Sequence, residues 1–231
     1  MAERTLIVNA DDLGLSEAVN AGIAAGHEDG VVTSASLMVR MPAAGAAAEL
    51  SGQLPELAIG LHIDIGEWEH TADEWRLGYQ RCDPDDPAAV EAECRDQVAA
   101  FRSLLGRDPT HLDSHQHVHR SEPVASVARS LAAELGVPLR GEGIAYEGGF
   151  YGQSGKSEPY PEGISVAGLV ALIEALPAGV TEIGCHPARG PVPESTYDGE
   201  RERELESLCD PRVRAAIEDA GIELRSFAEL G

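Results

Sequence analysis

Three of the chain's eight histidines fall within five residues, His115-Gln116-His117-Val118-His119, directly after Asp113-Ser114. Imidazoles at spacings of two and four can aim several ring nitrogens at one point, which is what a metal ion needs. A second group stands near the start, where the apolar run Leu6-Ile7-Val8 ends in Asn9-Ala10-Asp11-Asp12. Two adjacent carboxylates at a strand end offer one group to a metal and one to proton transfer. Isolated polar residues add to these: His62 in Gly60-Leu61-His62, Arg140 after Leu139, and His186 in Cys185-His186-Pro187.

The elements that must position these residues alternate. Short apolar runs predict strands at residues 5–10, 33–39, 57–63, 111–113, 137–140, 180–184 and 222–225. Helical patterns lie between them, at residues 16–29, 42–50, 87–105, 123–135, 166–176, 200–208 and 211–220. Ser16 and Ser165 are caps, and Gly30, Gly106 and Gly136 are stops. On the third helix Val90, Cys94, Val98, Phe101 and Leu105 share one face. Strands alternating with helices imply a parallel sheet with helical crossovers. Six or seven such units in one domain, residues 1–231, predict a TIM-like (β/α) barrel, seven-stranded or incompletely closed, with a doubly wound open sheet as the alternative. Residues 64–86 and 141–164 read as long irregular loops, and loops of that length in a compact domain are often functional.

The candidate residues all fall at one edge of this frame. Asp11 and Asp12 follow the first strand, His62 ends the third, Asp113 and His115 follow the fourth, Arg140 ends the fifth and His186 follows the sixth. In a parallel barrel those C-terminal ends converge on one mouth. Each residue alone has a plainer account: Asp11-Asp12 as a helix cap, His62 as a hydrogen-bonded core histidine, His186 as a turn residue. The shared edge is what argues against reading them separately. One carboxylate and two imidazoles make a metal triad with open positions. His27, His70 and His111 have no motif context, and no function is assigned to them.

Composition bounds the partners. The chain has 231 residues, enough for a sizeable core, and a formal net charge of -23. That charge repels nucleic acid and anionic membranes. Cys82, Cys94, Cys185 and Cys209 form no Cys-x-x-Cys pair, which speaks against a zinc ribbon and for reduced thiols. No signal peptide and no run of about 18–20 apolar residues is visible. The expectation is a cytoplasmic protein with no membrane span; self-association into a homo-oligomer is left open.

The chain resembles the YdjC-like carbohydrate deacetylases. The matching stretches are residues 6–16, 30–35, 58–62 and 109–119, then Leu139-Arg140, Phe150-Tyr151-Gly152 and Cys185-His186-Pro187, in order along nearly the whole chain. The resemblance implies a barrel-like fold and hydrolysis of an N-acetyl group on a sugar. It implies Asp12, His62 and His115 as ligands of one divalent metal, Asp11 as catalytic base and His186 as a second catalytic group. Arg140 would pair with Asp11 and keep it ionised, as in other sugar deacetylases. The family metal is magnesium or zinc; two imidazoles favour zinc or another transition metal.

After Gly60-Leu61-His62 the family often continues with apolar and hydroxyl residues. Here Ile63-Asp64-Ile65-Gly66-Glu67-Trp68 follows, so the identity of the sugar stays open. His117 and His119 share a face with His115 on an extended segment, whereas on a helix only His119 does. Trp68, Trp75, Tyr146 and Tyr151 either stack on sugar faces or pack a small satellite core. The rivals are another metal-dependent barrel enzyme, a hydrolase or an isomerase, and an inactive sugar- or metal-binding homologue. An amidohydrolase would show His-x-His after the first strand, where this chain has Asp-Asp.

Overall fold

The central strands of this computed structural model, which describes residues 3–71, 74–155, 157–193 and 195–230, are buried on both faces. Residues 72, 73 and 156, within the two stretches expected to be irregular, lie outside the described residues. The chain runs β1 (Arg4–Leu13), α1 (Glu17–Glu28), β2 (Ser34–Leu37), α2 (Ala44–Ser51) and β3 (Ala58–Ile63). It continues with β4 (Gly66–Thr71), β5 (Glu74–Gln80), α3 (Pro87–Leu105), β6 (Leu112–Ser114) and a 3-10 turn (His115–Arg120). Then come α4 (Val124–Leu135), β7 (Ala145–Glu147), α5 (Val166–Ala175) and β8 (Gly179–Cys185). The last elements are α6 (Gly199–Leu208), α7 (Pro211–Asp219), β9 (Glu223–Leu224) and a 3-10 turn (Phe227–Glu229).

The main sheet is parallel, in the order β6-β3-β2-β1-β8-β7, and curls into an incompletely closed (β/α) barrel sweeping 239°. β9 pairs with Thr5 and Leu6 low on β1, while β2 takes the upper half of the same edge from Asn9 onward. Ser16 caps α1 by accepting from the Val19 amide, and Ser165 caps α5 the same way from Gly168. Gly106 and Gly136 end α3 and α4 in the left-handed region, φ 68° and 67°, where a Cβ is disfavoured.

Side chains alternate across a strand, and here the alternation sorts chemistry. Leu6, Val8 and Ala10 of β1, Ala35 and Leu37 of β2, Ile59, Leu61 and Ile63 of β3, and Ile183 and Cys185 of β8 belong to the apolar core under the helices. Their in-between neighbours face the barrel interior, where Asn9, Asp11, Ser36, His62, Asp113 and Glu182 are all buried. Phe227 plugs the interior from below, stacked on His111 with ring centroids 3.9 Å apart.

Three expectations need correction, the first being that 141–164 is irregular throughout: β7 lies within it and pairs with β8 at the edge of the main sheet. The strand at 137–140 is reduced to a single bridge, Leu112 to Leu139, because Gly141 turns the chain away at φ 78°. The stretch 64–86 is not irregular: β4 and β5 form an antiparallel hairpin. β5 is exposed on both faces, so it never acquired the apolar alternation by which a strand is recognised. Among the described residues no helix is long and apolar enough to cross a membrane, and all four cysteines are free.

Candidate metal centre and active site

Asp11 and Asp12 are consecutive, so a regular strand would send them to opposite faces. A bulge prevents this: three steps of β1, Ala10 to Leu13, oppose two of β2, Ala35 to Leu37. Asp12 sits at its centre with φ 65°, a conformation that costs about 1–3 kcal/mol for a non-glycine residue. Both carboxylates therefore reach the mouth.

There Asp12 meets His62 from the end of β3 and His115 from the turn after β6. Asp12 Oδ1 lies 3.5 Å from His62 Nε2 and 3.2 Å from His115 Nδ1. One ligand atom from each of the three residues falls within 4.8 Å of the others. His62 Nδ1 is held by Asp113 Oδ1 at 2.8 Å, which turns Nε2 toward Asp12 in the carboxylate–histidine pattern of metal sites. Asp12 Oδ2 accepts from Arg201 Nη2 at 2.7 Å, leaving Oδ1 for an ion. The donor set fits a divalent cation, and two imidazoles suit zinc or another transition metal better than magnesium. Asp11, His62 and Asp113 are spaced as closely. Their carboxylates, however, are taken by Arg140, Asn9 and Ser36.

Arg140 is fully buried among three carboxylates. It forks onto Asp11, Nη1 to Oδ2 at 2.7 Å and Nη2 to Oδ1 at 2.6 Å, and also reaches Asp113 at 2.8 Å and Glu182 at 2.7 Å. Burial opposes ionisation of Asp11 and Asp113, but the guanidinium outweighs it and holds both below the usual carboxylate range. Burial, with Asp113 and Asp11 alongside, pushes Glu182 up to about 7 despite Arg140. Burial works against the His62 cation, yet Asp113 and Asp12 raise it to about 10. Two carboxylates are thus matched by one guanidinium and one imidazolium, and a bound cation would take over the imidazolium's charge.

His186 follows β8 on the opposite wall, Nε2 3.9 Å from Asp11 Oδ2. Burial depresses its pKa to about 4, against the pull of Asp12 and Asp11. Tyr151 and Tyr197 stack on each other at 4.5 Å and each meets the His186 ring edge-on at 5.5 Å. These groups line a cavity of about 940 Å³, with apolar Leu15, Met38 and Met41 on one wall and Glu67, Glu69 and Tyr79 of the hairpin overhanging it. The hairpin is tied to the histidine turn by Gln116, whose side chain bonds the Trp68 backbone N–H at 3.0 Å and C=O at 2.8 Å.

The geometry brings together all six residues read from the sequence: Asp11, Asp12, His62, His115, Arg140 and His186. The histidine turn is neither strand nor regular helix, since Gln116 and His117 adopt left-handed φ values of 50° and 54°. The three imidazoles diverge as a result. His117 lines the cavity, 3.3 Å from the Tyr146 hydroxyl, while His119 turns back onto Ser114 Oγ at 2.6 Å. Tyr146 and Tyr151 line the cavity; Trp68 and Trp75 do not, and Trp75 is 65% exposed. Sequence reasoning missed Asn9, Ser36 and Glu182, polar residues at alternate positions of apolar strands. It also missed Arg201, Glu204 and Tyr197, for which no sequence signal stands out.

Fold and site together define a (β/α) barrel protein with a buried Asp/His cluster that could hold a metal ion at its C-terminal mouth. Residues 5–219 match the YdjC-like protein family, and the chain belongs to that family. It is 34% identical to a carbohydrate deacetylase of Vibrio parahaemolyticus, over 97% of this chain and 96% of that one. It is 35% identical to a chitooligosaccharide deacetylase of Klebsiella pneumoniae, over 99% and 100% of the two chains. A crystal structure of an Enterococcus faecalis protein, named provisionally for cellobiose-phosphate cleavage, superposes with a TM-score of 0.80 at 28% identity and covers 100% of both chains.

Proposed function

We propose that the chain is a metal-dependent carbohydrate deacetylase that hydrolyses the acetamide of an N-acetylated sugar. The observation that carries this reading is the meeting of Asp12, His62 and His115 at the cavity floor, flanked by Asp11 and His186. The deacetylase names of relatives aligned over the whole chain support it.

A divalent ion held by Asp12, His62 and His115 would polarise the acetyl carbonyl and acidify water. The chain's own residues do the rest. Asp11 accepts the proton of the attacking water; Arg140 keeps its carboxylate ionised and fixes its plane. The water oxygen bonds to the acetyl carbon; His186, neutral beforehand, takes up at Nε2 the proton that Asp11, 3.9 Å away, has received, and passes it to the departing nitrogen as the C–N bond breaks. Acetate and a free amine result. Tyr146, Tyr151 and the methionine wall bind the sugar and exclude water. The enzyme works in the cytoplasm as one domain spanning residues 1–231.

The test is acetate release from N-acetylglucosamine oligomers by metal-loaded protein, with and without chelator. Acetate equimolar with new amine, abolished by chelator and restored by metal, is the expected result. Metal-loaded protein that releases no acetate from any N-acetylated sugar overturns the reading and favours a binder or a different barrel enzyme. Formation of a ketose would identify an isomerase.

A further inference from the structure

His62 and His115 reach the proposed metal position by unequal routes. His62 lies in β3, a strand flanked by β2 and β6, with Asp113 behind its ring. His115 comes after the last residue of β6, in the turn His115–Arg120, where no strand ladder holds the backbone. The two residues that follow it, Gln116 and His117, are left-handed at φ 50° and 54°. Non-glycine residues keep such backbone only where surrounding contacts over-determine it.

Two sets of contacts do so here. From inside, Ser114 Oγ accepts the His119 backbone N–H at 3.0 Å and meets His119 Nδ1 at 2.6 Å. From outside, the Gln116 side chain closes two bonds with one residue of the hairpin. Its Oε1 accepts the Trp68 N–H at 3.0 Å, and its Nε2 donates to the Trp68 carbonyl at 2.8 Å. An amide that meets both backbone groups of one residue imitates the pairing of a neighbouring strand, and it fixes direction as well as distance.

The hairpin is in turn a firm support. Asp64, 1% exposed, stands at its base and accepts the Gly66 N–H at 3.1 Å, the Tyr79 hydroxyl at 3.0 Å and Arg81 Nε at 2.6 Å, joining both legs. The Gln97 side chain of α3 clasps the Asp64 backbone in the same two-bond manner, at 3.0 Å and 2.6 Å. A line of fastenings thus runs from α3 through Asp64 and the hairpin to Gln116, the residue next to His115.

We infer that Gln116 is the positioning residue of His115, and that the β4–β5 hairpin, through this clasp, is the support on which that imidazole rests against Asp12. The inference rests on the metal-centre part of the reading above and not on the reaction. The clasp keeps the turn in the backbone shape that aims His115 Nδ1 at Asp12 Oδ1, 3.2 Å away.

Cobalt(II) is the probe, because its visible absorption reports coordination geometry as well as occupancy. Gln116→Ala removes both bonds; Asp64→Asn loosens the hairpin base without touching the turn. The readouts are cobalt dissociation constants from chelator competition, the cobalt absorption band, and urea unfolding of metal-free protein. Gln116→Ala should bind cobalt about tenfold more weakly, the lower end of what loss of an outer contact of a metal ligand costs, with an altered band. Asp64→Asn should weaken cobalt binding in the parental background but add little in the Gln116→Ala background, because the clasp that transmits it is gone.

Unchanged cobalt affinity and band in Gln116→Ala, with only the urea midpoint lowered, would leave the clasp a surface fastening and overturn the inference. So would equal losses from Asp64→Asn with and without Gln116. If Gln116→Ala does not fold, cobalt binding unmoved by Asp64→Asn overturns it. Parent protein that binds no cobalt removes the inference together with the centre. Parent protein that binds cobalt but releases no acetate from any N-acetylated sugar overturns only the deacetylase reading.

Discussion

Arg140 holds Asp11 by a two-pronged contact, 2.7 Å and 2.6 Å, across 129 residues of chain. A bidentate fork fixes the carboxylate plane as well as its charge, which a lysine ammonium cannot do. Arg140→Lys should therefore keep the fold while displacing Asp11, lowering kcat by about 10²-fold, the scale of a 1 Å misplacement. Arg140→Ala leaves buried carboxylates uncompensated and should cost about 3–5 kcal/mol. Urea unfolding alongside acetate release checks both. A lysine variant with parental kcat would mean that the fork's geometry is irrelevant.

The two proposed imidazole ligands should respond differently to removal. His115 sits at the rim with 15% of its side chain exposed, paired with Asp12 and Glu67 and edge-on to the His62 ring. His115→Ala should abolish turnover and bound metal with little change in the urea midpoint. His62 is buried against Asp113, so His62→Ala should lose metal and also unfold more easily, by about 3–5 kcal/mol. Arg201→Ala frees Asp12 Oδ2 and should weaken metal retention while leaving Asp11 and His186 in place. Elemental analysis after dialysis against graded chelator distinguishes the three.

Much of this site was legible because parallel strands deliver their C-terminal ends to one rim: polar residues at the ends of five strands point to a mouth from the sequence alone. The pairing of bases and acids was less visible. Glu182 and Ser36 carry a signal, a polar side chain at an inward position of an apolar strand, but its meaning depends on Arg140, which arrives from another element to meet Glu182 and the Asp113 that Ser36 bonds. Arg201 and Glu204 lie in a helix of alternating charges, Gly199–Leu208, where nothing local separates buried from solvated residues. The β4–β5 hairpin stayed hidden for the complementary reason, since β5 is exposed and strands are recognised by burial.

Gly60 is a packing test of the interior. A Cβ there would lie 2.4 Å from the His111 ring, which is pinned by Thr110, Ser36 and the Phe227 stack and cannot swing away. Gly60→Ala should destabilise by about 1–3 kcal/mol or more. It should also reduce activity, since Ser36 links His111 to Asp113, which orients His62. Combining it with His111→Ala should cost less than the sum of the single changes, because the clash vanishes. Strict additivity of the two in urea unfolding would show that the ring is not what the new methyl meets.

His111 also sets a pH dependence of stability. Burial pushes its pKa down to about 4, overriding Asp113, so the folded protein holds it neutral. The unfolded chain, with an ordinary value near 6.5, binds the proton first. Stability from this residue is therefore complete above about pH 6.5 and is lost as pH falls toward 4, by about 3 kcal/mol in all. His117, His119 and His186 are depressed by burial as well and act in the same direction. His111→Gln keeps a group able to bond Ser36 but does not titrate. Its urea midpoint should lie below the parental one at pH 7.5, and the gap should narrow by up to about 3 kcal/mol as pH falls to 4. Parallel curves for the two proteins across that range would show that His111 is already protonated in the fold, contrary to the buried stack on Phe227.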